Sequence, residues 1–308
     1  MGSLKITHKS IFMRSTYIMS EVFLEKLSMI EAEDLTIKAA KLRLKIIESI
    51  YNAHSGHPGG SLSIAEILTY LYYHRMNVDP TAPQKLDRDR FVLSKGHCAP
   101  ALYAVLAMKE FFSENELAYL RKTGHMLQGH PDRKHIPGID MSSGSLGQGI
   151  SAACGMAEIS RASGLNYDVY AVLGDGELQE GQVWEAAMFA SDKKLNKLCA
   201  FVDYNNLQIT GSISEVMDLG DIELKFKAFG WNALAIDGHD FYAIDEAWRA
   251  FKASEKPTVI ICRTIKGKGV SFMENNFYWH GNPPTTEEYE RAKKELETEI
   301  DKLMRGGN

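Results

Sequence analysis

Asp175 stands between two glycines, in Gly174-Asp175-Gly176, at the end of the apolar run Asp168-Val169-Tyr170-Ala171-Val172-Leu173. A strand that stops there presents a carboxylate on a turn with no Cβ on either side, so backbone N–H groups can approach phosphate oxygens. About 30 residues further on, a second predicted strand ends in Asp203-Tyr204-Asn205-Asn206. A divalent ion such as Mg2+ takes oxygen ligands in octahedral geometry and keeps phosphate oxygens among them, so few protein oxygens suffice. Asp175, the Asn205 side-chain carbonyl and the Leu207 main-chain carbonyl are the candidate metal ligands, because parallel neighbours bring their carboxyl ends to one edge of a sheet. Either motif alone is an ordinary turn. Together, at strand ends with a helix between, they read as a site for a metal-bound diphosphate.

The elements that must position these residues alternate along the chain. Asp34 is a plausible N-cap for a helix carrying Leu35, Ala39, Leu42, Ile46, Ile47 and Ile50 at helical spacing. Ile64, Ile67, Leu68 and Leu71 begin another helix after the small-residue loop around His57, and 101–111 and 114–121 look helical. Short strands are predicted before Ser94 and at 232–236 and 258–262. This alternation predicts one α/β domain, a parallel sheet with helices on both faces and ligands at its carboxyl edge. Lys266-Gly267-Lys268-Gly269, after the last strand, suits a phosphate and a solvated basic loop equally. Asp237-Gly238-His239 reads as a turn.

Composition narrows the class. The chain has 308 residues, 44% hydrophobic and 24% charged, with a net charge of −5. That charge gives no global attraction to nucleic acid or an anionic membrane, so any phosphate site is local. No apolar run is long enough to span a bilayer. The 4 cysteines are scattered without a Cys-x-x-Cys pair and read as reduced core residues of a cytoplasmic protein. Residues 1–20 lack the features of a secretory signal and are expected to be a leader or mobile arm. The domain is expected over 21–284, followed by a charged helix or tail over 285–308.

Gly-Asp-Gly followed at this spacing by Asn-Asn resembles the thiamin-diphosphate fingerprint. Further segments are similar to the transketolase family. They are Ser55-Gly56-His57-Pro58-Gly59, Asp89-Arg90-Phe91-Val92-Leu93-Ser94-Lys95-Gly96-His97 and Gly129-His130-Pro131. Gly144-Ser145-Leu146-Gly147-Gln148-Gly149, Leu178-Gln179-Glu180-Gly181 and Trp279-His280-Gly281 continue the match in chain order, with Ser145 where the family often has proline. The resemblance runs from about Lys38 to Pro283 and implies a thiamin-diphosphate-binding fold. It also implies transfer of a two-carbon ketol unit from a ketose to an aldose, usually as sugar phosphates.

Residue by residue, the resemblance implies that His57 contacts the sugar, that His130 lies near the reacting end of the ketose and that His280 serves both diphosphate and substrate. These three are the expected catalytic histidines. His97 would hydrogen-bond the diphosphate, Gly144 and Leu146 would contact the cofactor rings, and Ile209 would form part of a composite wall. Gly174, Asp175, Gly176 and Asn205 complete the cofactor set, and Glu180 would join a carboxylate network at a subunit interface. On residue context alone, His57 reads as a surface-loop histidine, His97 as a cap or core residue and Glu180 as favourable charge at a helix start.

The expected cofactors are thiamin diphosphate and Mg2+, with Ca2+ or Mn2+ as alternatives. In this family the glutamate that activates the aminopyrimidine comes from a second, pyrimidine-binding domain, and none of the carboxylates in the matched motifs takes that role. The resemblance therefore implies a partner, a separate transketolase C-terminal subunit, in an α2β2 heterotetramer. Alternatives are a modified-sugar transketolase subunit, a component of another thiamin-diphosphate enzyme and a non-catalytic cofactor-binding module.

Overall fold

Helix formation begins earlier than Asp34 in the computed structural model, which describes residues 25–306. The expected arm over 1–20 lies outside the described residues. The first helix, α1 (Met29–Ala53), is capped by Ser28: its hydroxyl accepts the Glu31 N–H, while the Glu31 carboxylate accepts the Ser28 N–H. A reciprocal cap satisfies two end donors at once. Asp34 instead lies within the helix and pairs with Lys38. The stripe Leu35, Ala39, Leu42, Ile46, Ile47 and Ile50 is buried, as its spacing required.

Two short helices follow, α2 (Pro58–Leu62) and α3 (Ala65–Tyr70). Then come β1 (Arg90–Leu93), α4 (Ala99–Met108) and α5 (Gln148–Ser163). The expected helix at 114–121 is a 3-10 segment, Glu114–Tyr119. The chain continues through β2 (Val169–Gly174), α6 (Gly181–Asp192), β3 (Leu198–Tyr204), α7 (Ile213–Met217) and α8 (Ile222–Ala228). It ends with β4 (Asn232–Asp237), α9 (Phe241–Ala253), β5 (Thr258–Arg263) and α10 (Thr286–Met304).

The sheet has 5 strands in the order β1-β2-β3-β5-β4, and every pair is parallel. Side chains alternate across it. Tyr170, Val172, Cys199, Phe201, Ile260 and Cys262 pack under α1, α3, α4 and α9, while Ala171, Leu173, Ala200, Val202, Val259 and Ile261 pack under α5, α6 and α8. Both faces are thus covered, which explains why the strands read as near-continuous apolar runs. All 4 cysteines are buried and unpaired.

The segment read as a charged helix or tail folds as α10 and lies against α1. Tyr289, Ala292, Leu296 and Ile300 form its buried stripe, and Tyr289 stacks on Tyr51 at 4.0 Å between ring centroids. Among the described residues no helix is long and apolar enough to cross a membrane.

Register brings the chemistry to one edge. Gly174 pairs with Asp203, and Asp203 with Cys262, so β2, β3 and β5 release Asp175, Asn205 and Lys266 side by side. The start of α5 closes in from the β1 end. A Cβ on Gly149 would fall 2.6 Å from the Ser94 Cα, a backbone atom that cannot step aside, so only glycine lets the helix sit there.

Candidate active site

A cavity of about 410 Å3 opens at the carboxyl edge, lined by His57, His97, Gly144, Leu146, Gly174, Asp175, Gly176, Glu180, Asn205, Leu207, Ile209 and His280, together with Gly60, Lys95, Glu177, Gln179, Asp203, Gln208 and Lys266. Of the residues singled out from the sequence, only His130 is not on its wall. His130 is exposed and sits behind Gly144, where a Cβ would come 3.2 Å from the imidazole. Gly144 has φ +152°, a conformation other residues rarely adopt. A larger open groove of about 970 Å3, along α5 near Arg88 and Phe189, holds none of these residues.

Asp175 is 3% exposed, and its carboxylate accepts the backbone N–H groups of Gly176 and Asn206. Burial, then the neighbouring Asp203 charge, pushes its pKa up to about 7. A buried carboxyl beside a second carboxylate is stabilised by an added cation. The Asn205 amide is oriented by two contacts: Nδ2 donates to Asp203 (2.8 Å) and Oδ1 accepts the Leu207 N–H (3.1 Å). The Leu207 carbonyl accepts from Lys266 Nζ at 3.1 Å, so it already faces a positive charge. The 3 candidate ligand residues line one cavity, and their donor set of carboxylate, amide and carbonyl suits a hard cation. Among the described residues no cluster of 3 or more His, Cys, Asp and Glu could hold a metal, so a cation here would also draw on ligand oxygens.

His57, His97 and His280 form a cluster with ring centroids 5.1, 5.6 and 5.2 Å apart. Burial lowers all of their pKa values, His57 to about 4 and His280 to about 3, with His97 well below its ordinary value. Nearby cations add to this: Arg121 at His57, Lys266 at His280 and Lys95 at His97. The three rings are therefore neutral near neutrality, and each carries one N–H and one acceptor nitrogen. At His280 the Lys266 ammonium lies 3.1 Å from Nδ1 and can only donate, which leaves the proton on Nε2.

Unfolded chain takes up a proton at His57 below about 6.5, but the folded chain does so only near 4, so stability falls as acid is added through that window. His57→Asn should flatten this part of the curve. Thermal unfolding followed through the window checks it, and a slope unchanged from wild type would show that His57 is not held neutral.

Sequence reasoning missed the buried charges beneath the cavity. Lys95, 2% exposed, donates to Asp203 (2.6 Å) and the Gly60 carbonyl (2.8 Å). Asp203 also accepts from Ser63, Thr264 and Asn205. Burial acts to raise its pKa, but Lys95 and the hydroxyl donors outweigh it and hold the group ionised. Glu177 accepts from Ser94 Oγ and from the N–H groups of Gly147 (2.9 Å) and Gly174 (3.0 Å), tying three loops together. Lys95 and Asp203 lie inside the motifs already noted, but a buried ion pair has no local sequence signal. Lys266 is 2% exposed, which makes it a cavity residue and not part of a solvated loop. Glu180 is exposed at the start of α6, and Ile209 is 68% exposed at the cavity mouth.

The cavity also has orphans. His57 Nδ1 and Gln208 Nε2 are buried without a hydrogen-bond partner, as expected of groups that await a polar ligand. The Asp175, Asn205 and Leu207 oxygens, with Lys266 and imidazole N–H groups in the same cavity, fit a metal-chelated diphosphate. Fold and site together define a diphosphate-binding α/β domain of the cofactor-dependent enzymes.

Residues 35–304 match the family model described as transketolase, thiamine diphosphate binding domain. The chain belongs to this family and is one subunit of a transketolase. It is 47% identical over 267 residues to the 6-deoxy-6-sulfo-D-fructose transketolase subunit SqwG of Clostridium sp. (strain MSTE9), covering 86% of this chain and 97% of that one. It is 41% identical to a subunit of the apulose-4-phosphate transketolase of Phocaeicola vulgatus, covering 90% of this chain and 99% of the relative. Human transketolase is 42% identical over 85% of this chain but only 42% of its own length. Transketolase from Campylobacter jejuni superposes with a TM-score of 0.81 at 30% identity, over 89% of this chain and 46% of that one. The chain thus spans about half the length of these longer transketolases.

Proposed function

We propose that the chain holds Mg2+ and thiamin diphosphate at the carboxyl edge of its sheet and works with a separate C-terminal subunit that carries the pyrimidine-binding domain. The assembly is an α2β2 heterotetramer in the cytoplasm that transfers a two-carbon ketol unit from a ketose to an aldose. The observation that carries this reading is the meeting of Asp175, Asn205, the Leu207 carbonyl, Lys266 and three neutral imidazoles in one cavity.

When bound, thiamin diphosphate supplies the carbanion chemistry that breaks and makes the carbon–carbon bond. The protein binds, orients and moves protons. Asp175, Asn205 and the Leu207 carbonyl hold the metal. Lys266 and His97 donate to the diphosphate, a task for which a buried ammonium and a neutral imidazole N–H are suited. Gly174 and Gly176 leave room for phosphate oxygens, and Gly144 and Leu146 flank the rings. His57 and His280 present N–H donors to substrate oxygens and can take up or release a proton there; His130, behind Gly144, serves the reacting end of the ketose. Glu180, exposed at the start of α6, joins a carboxylate network across a subunit boundary. Ile209 is the part of the wall that the partner covers.

The relatives named for a sulfo-sugar and for apulose 4-phosphate favour a modified-sugar donor. With the partner subunit, Mg2+ and thiamin diphosphate present, aldose-dependent consumption of ketoses should be detectable across a panel of phosphorylated, sulfonated and unmodified donors. Cofactor-dependent transfer from at least one donor is the expected result. No transfer from any of them by a correctly assembled complex would favour the non-catalytic module.

A further inference from the structure

We propose that His239, outside the cavity, is a positioning residue for Lys266. Its imidazole links a buried ion pair to the backbone that aims the Lys266 ammonium. The Ile265 N–H donates to His239 Nε2 at 2.9 Å, and His239 Nδ1 lies 2.9 Å from Glu66 Oε2. A backbone N–H can only donate, so Nε2 must be the acceptor and the ring proton resides on Nδ1, facing the carboxylate. Glu66 is in turn gripped by Arg43, whose Nη2 lies 2.7 and 2.6 Å from its two oxygens. Burial would raise the Glu66 pKa, but Arg43 and His239 overcome it and hold the value at about 2, so the tautomer-selecting charge is present.

The turn is built to press against the exit of β5. A Cβ on Gly238 would fall 2.6 Å from Thr264 Cγ2 and 2.8 Å from Cys262 Cβ. Thr264 is pinned from the other side, its N–H donating to the Tyr204 carbonyl at 3.1 Å and its hydroxyl to Asp203. Ile265 therefore has one side-chain anchor, His239, immediately before Lys266. Lys266 Nζ then lies 3.1 Å from both the Leu207 carbonyl and His280 Nδ1. Without His239 the Ile265 N–H is orphaned, and the segment that aims the ammonium loses its one side-chain tie next to Lys266, keeping the backbone bonds of Gly267 to Gly59 and of Asn275 to the Lys266 carbonyl.

The consequence for diphosphate binding rests on the proposed function, but the relay can be read without cofactor or partner. Full-length chain is treated with limiting amine-acetylating reagent, and modification of Lys266 and Lys95 is followed by peptide mass spectrometry. Lys95 is equally buried but is held by Asp203 and the Gly60 carbonyl, so it reports the general integrity of the fold. His239→Ala should raise the Lys266 rate by about tenfold, the scale set by one lost hydrogen bond, with Lys95 unchanged. His239→Gln, whose carbonyl can accept the Ile265 N–H, should restore protection. Glu66→Gln, should the alanine variant not fold, should give a smaller rise confined to Lys266. An unaltered Lys266 rate, or Lys266 and Lys95 rising together, would overturn the proposal. The diphosphate reading is tested separately, by protection of Lys266 when thiamin diphosphate and Mg2+ are added to the reconstituted enzyme.

Discussion

Purified without a partner, the chain is expected to transfer no ketol unit, and adding the C-terminal subunit should restore turnover by on the order of 100-fold to 10,000-fold, the range associated with a positioned acid or base. The reason lies in the cavity carboxylates. Both Glu177 oxygens are committed, to Ser94 and Gly147 on one side and Gly174 on the other. Asp203 is saturated by Lys95, Ser63, Thr264 and Asn205. Asp175 takes two backbone N–H groups at the candidate metal site, and Glu180 is exposed at the start of a helix. Among the buried carboxylates on the wall none is free to hydrogen-bond an aminopyrimidine ring, and Glu180, exposed on the wall, belongs to the motif expected at a subunit interface, so that acid is expected from the partner. A coupled assay of the separate and mixed subunits, with light scattering to follow assembly, reads the result. Robust turnover by demonstrably partner-free chain would end the split-enzyme reading.

In the assembled enzyme, Asp175→Ala and Asn205→Ala should each weaken Mg2+-dependent thiamin-diphosphate binding by about 100-fold or more, since even outer-shell partners of a metal site contribute 10- to 100-fold. The cofactor-free fold should be much less affected. The folded chain raises the Asp175 pKa from 3.8 to about 7, so ionising this group costs stability as pH climbs through that interval. Asp175→Ala removes that cost at neutral pH while leaving the Gly176 and Asn206 N–H groups without their acceptor. Calorimetry with cofactor and Mg2+, beside thermal unfolding without them, separates the two effects. Undiminished binding in both variants would remove these residues from the site, and a normal result for one would relocate a ligand.

Legibility in the sequence follows how local each cause is. Alternating strand and helix patterns, and apolar runs bounded by glycine, identify β2, β3 and β5 and the edge at which they end. The start of α1 is hidden because Asp34 is a good cap in isolation, whereas Ser28 and Glu31 satisfy each other. The 285–308 segment reads as solvated because its buried stripe, Tyr289, Ala292, Leu296 and Ile300, is sparse among charges and gains meaning only against α1. His130 belongs to a matching motif, but its place behind Gly144 depends on how two loops meet.

By itself the sequence determined the parallel α/β scaffold, the Gly-Asp-Gly and Asn-Asn turns and the family to which they point, because backbone freedom at glycine and side-chain periodicity act over a few residues. Only the tertiary structure decided that Lys95 and Lys266 are buried, that Asp203 is the hub beneath the cavity and that His239 reaches the backbone beside Lys266. Those outcomes depend on the strand order: β5 beside β3 brings residues about 60 apart in sequence into hydrogen-bond range, β4 beside β5 sets His239 against Ile265, and the common carboxyl edge brings Lys95 to Asp203. Whether a lysine is a solvated charge or a buried donor is set by what surrounds it in space, and strand order, not local composition, chooses those surroundings.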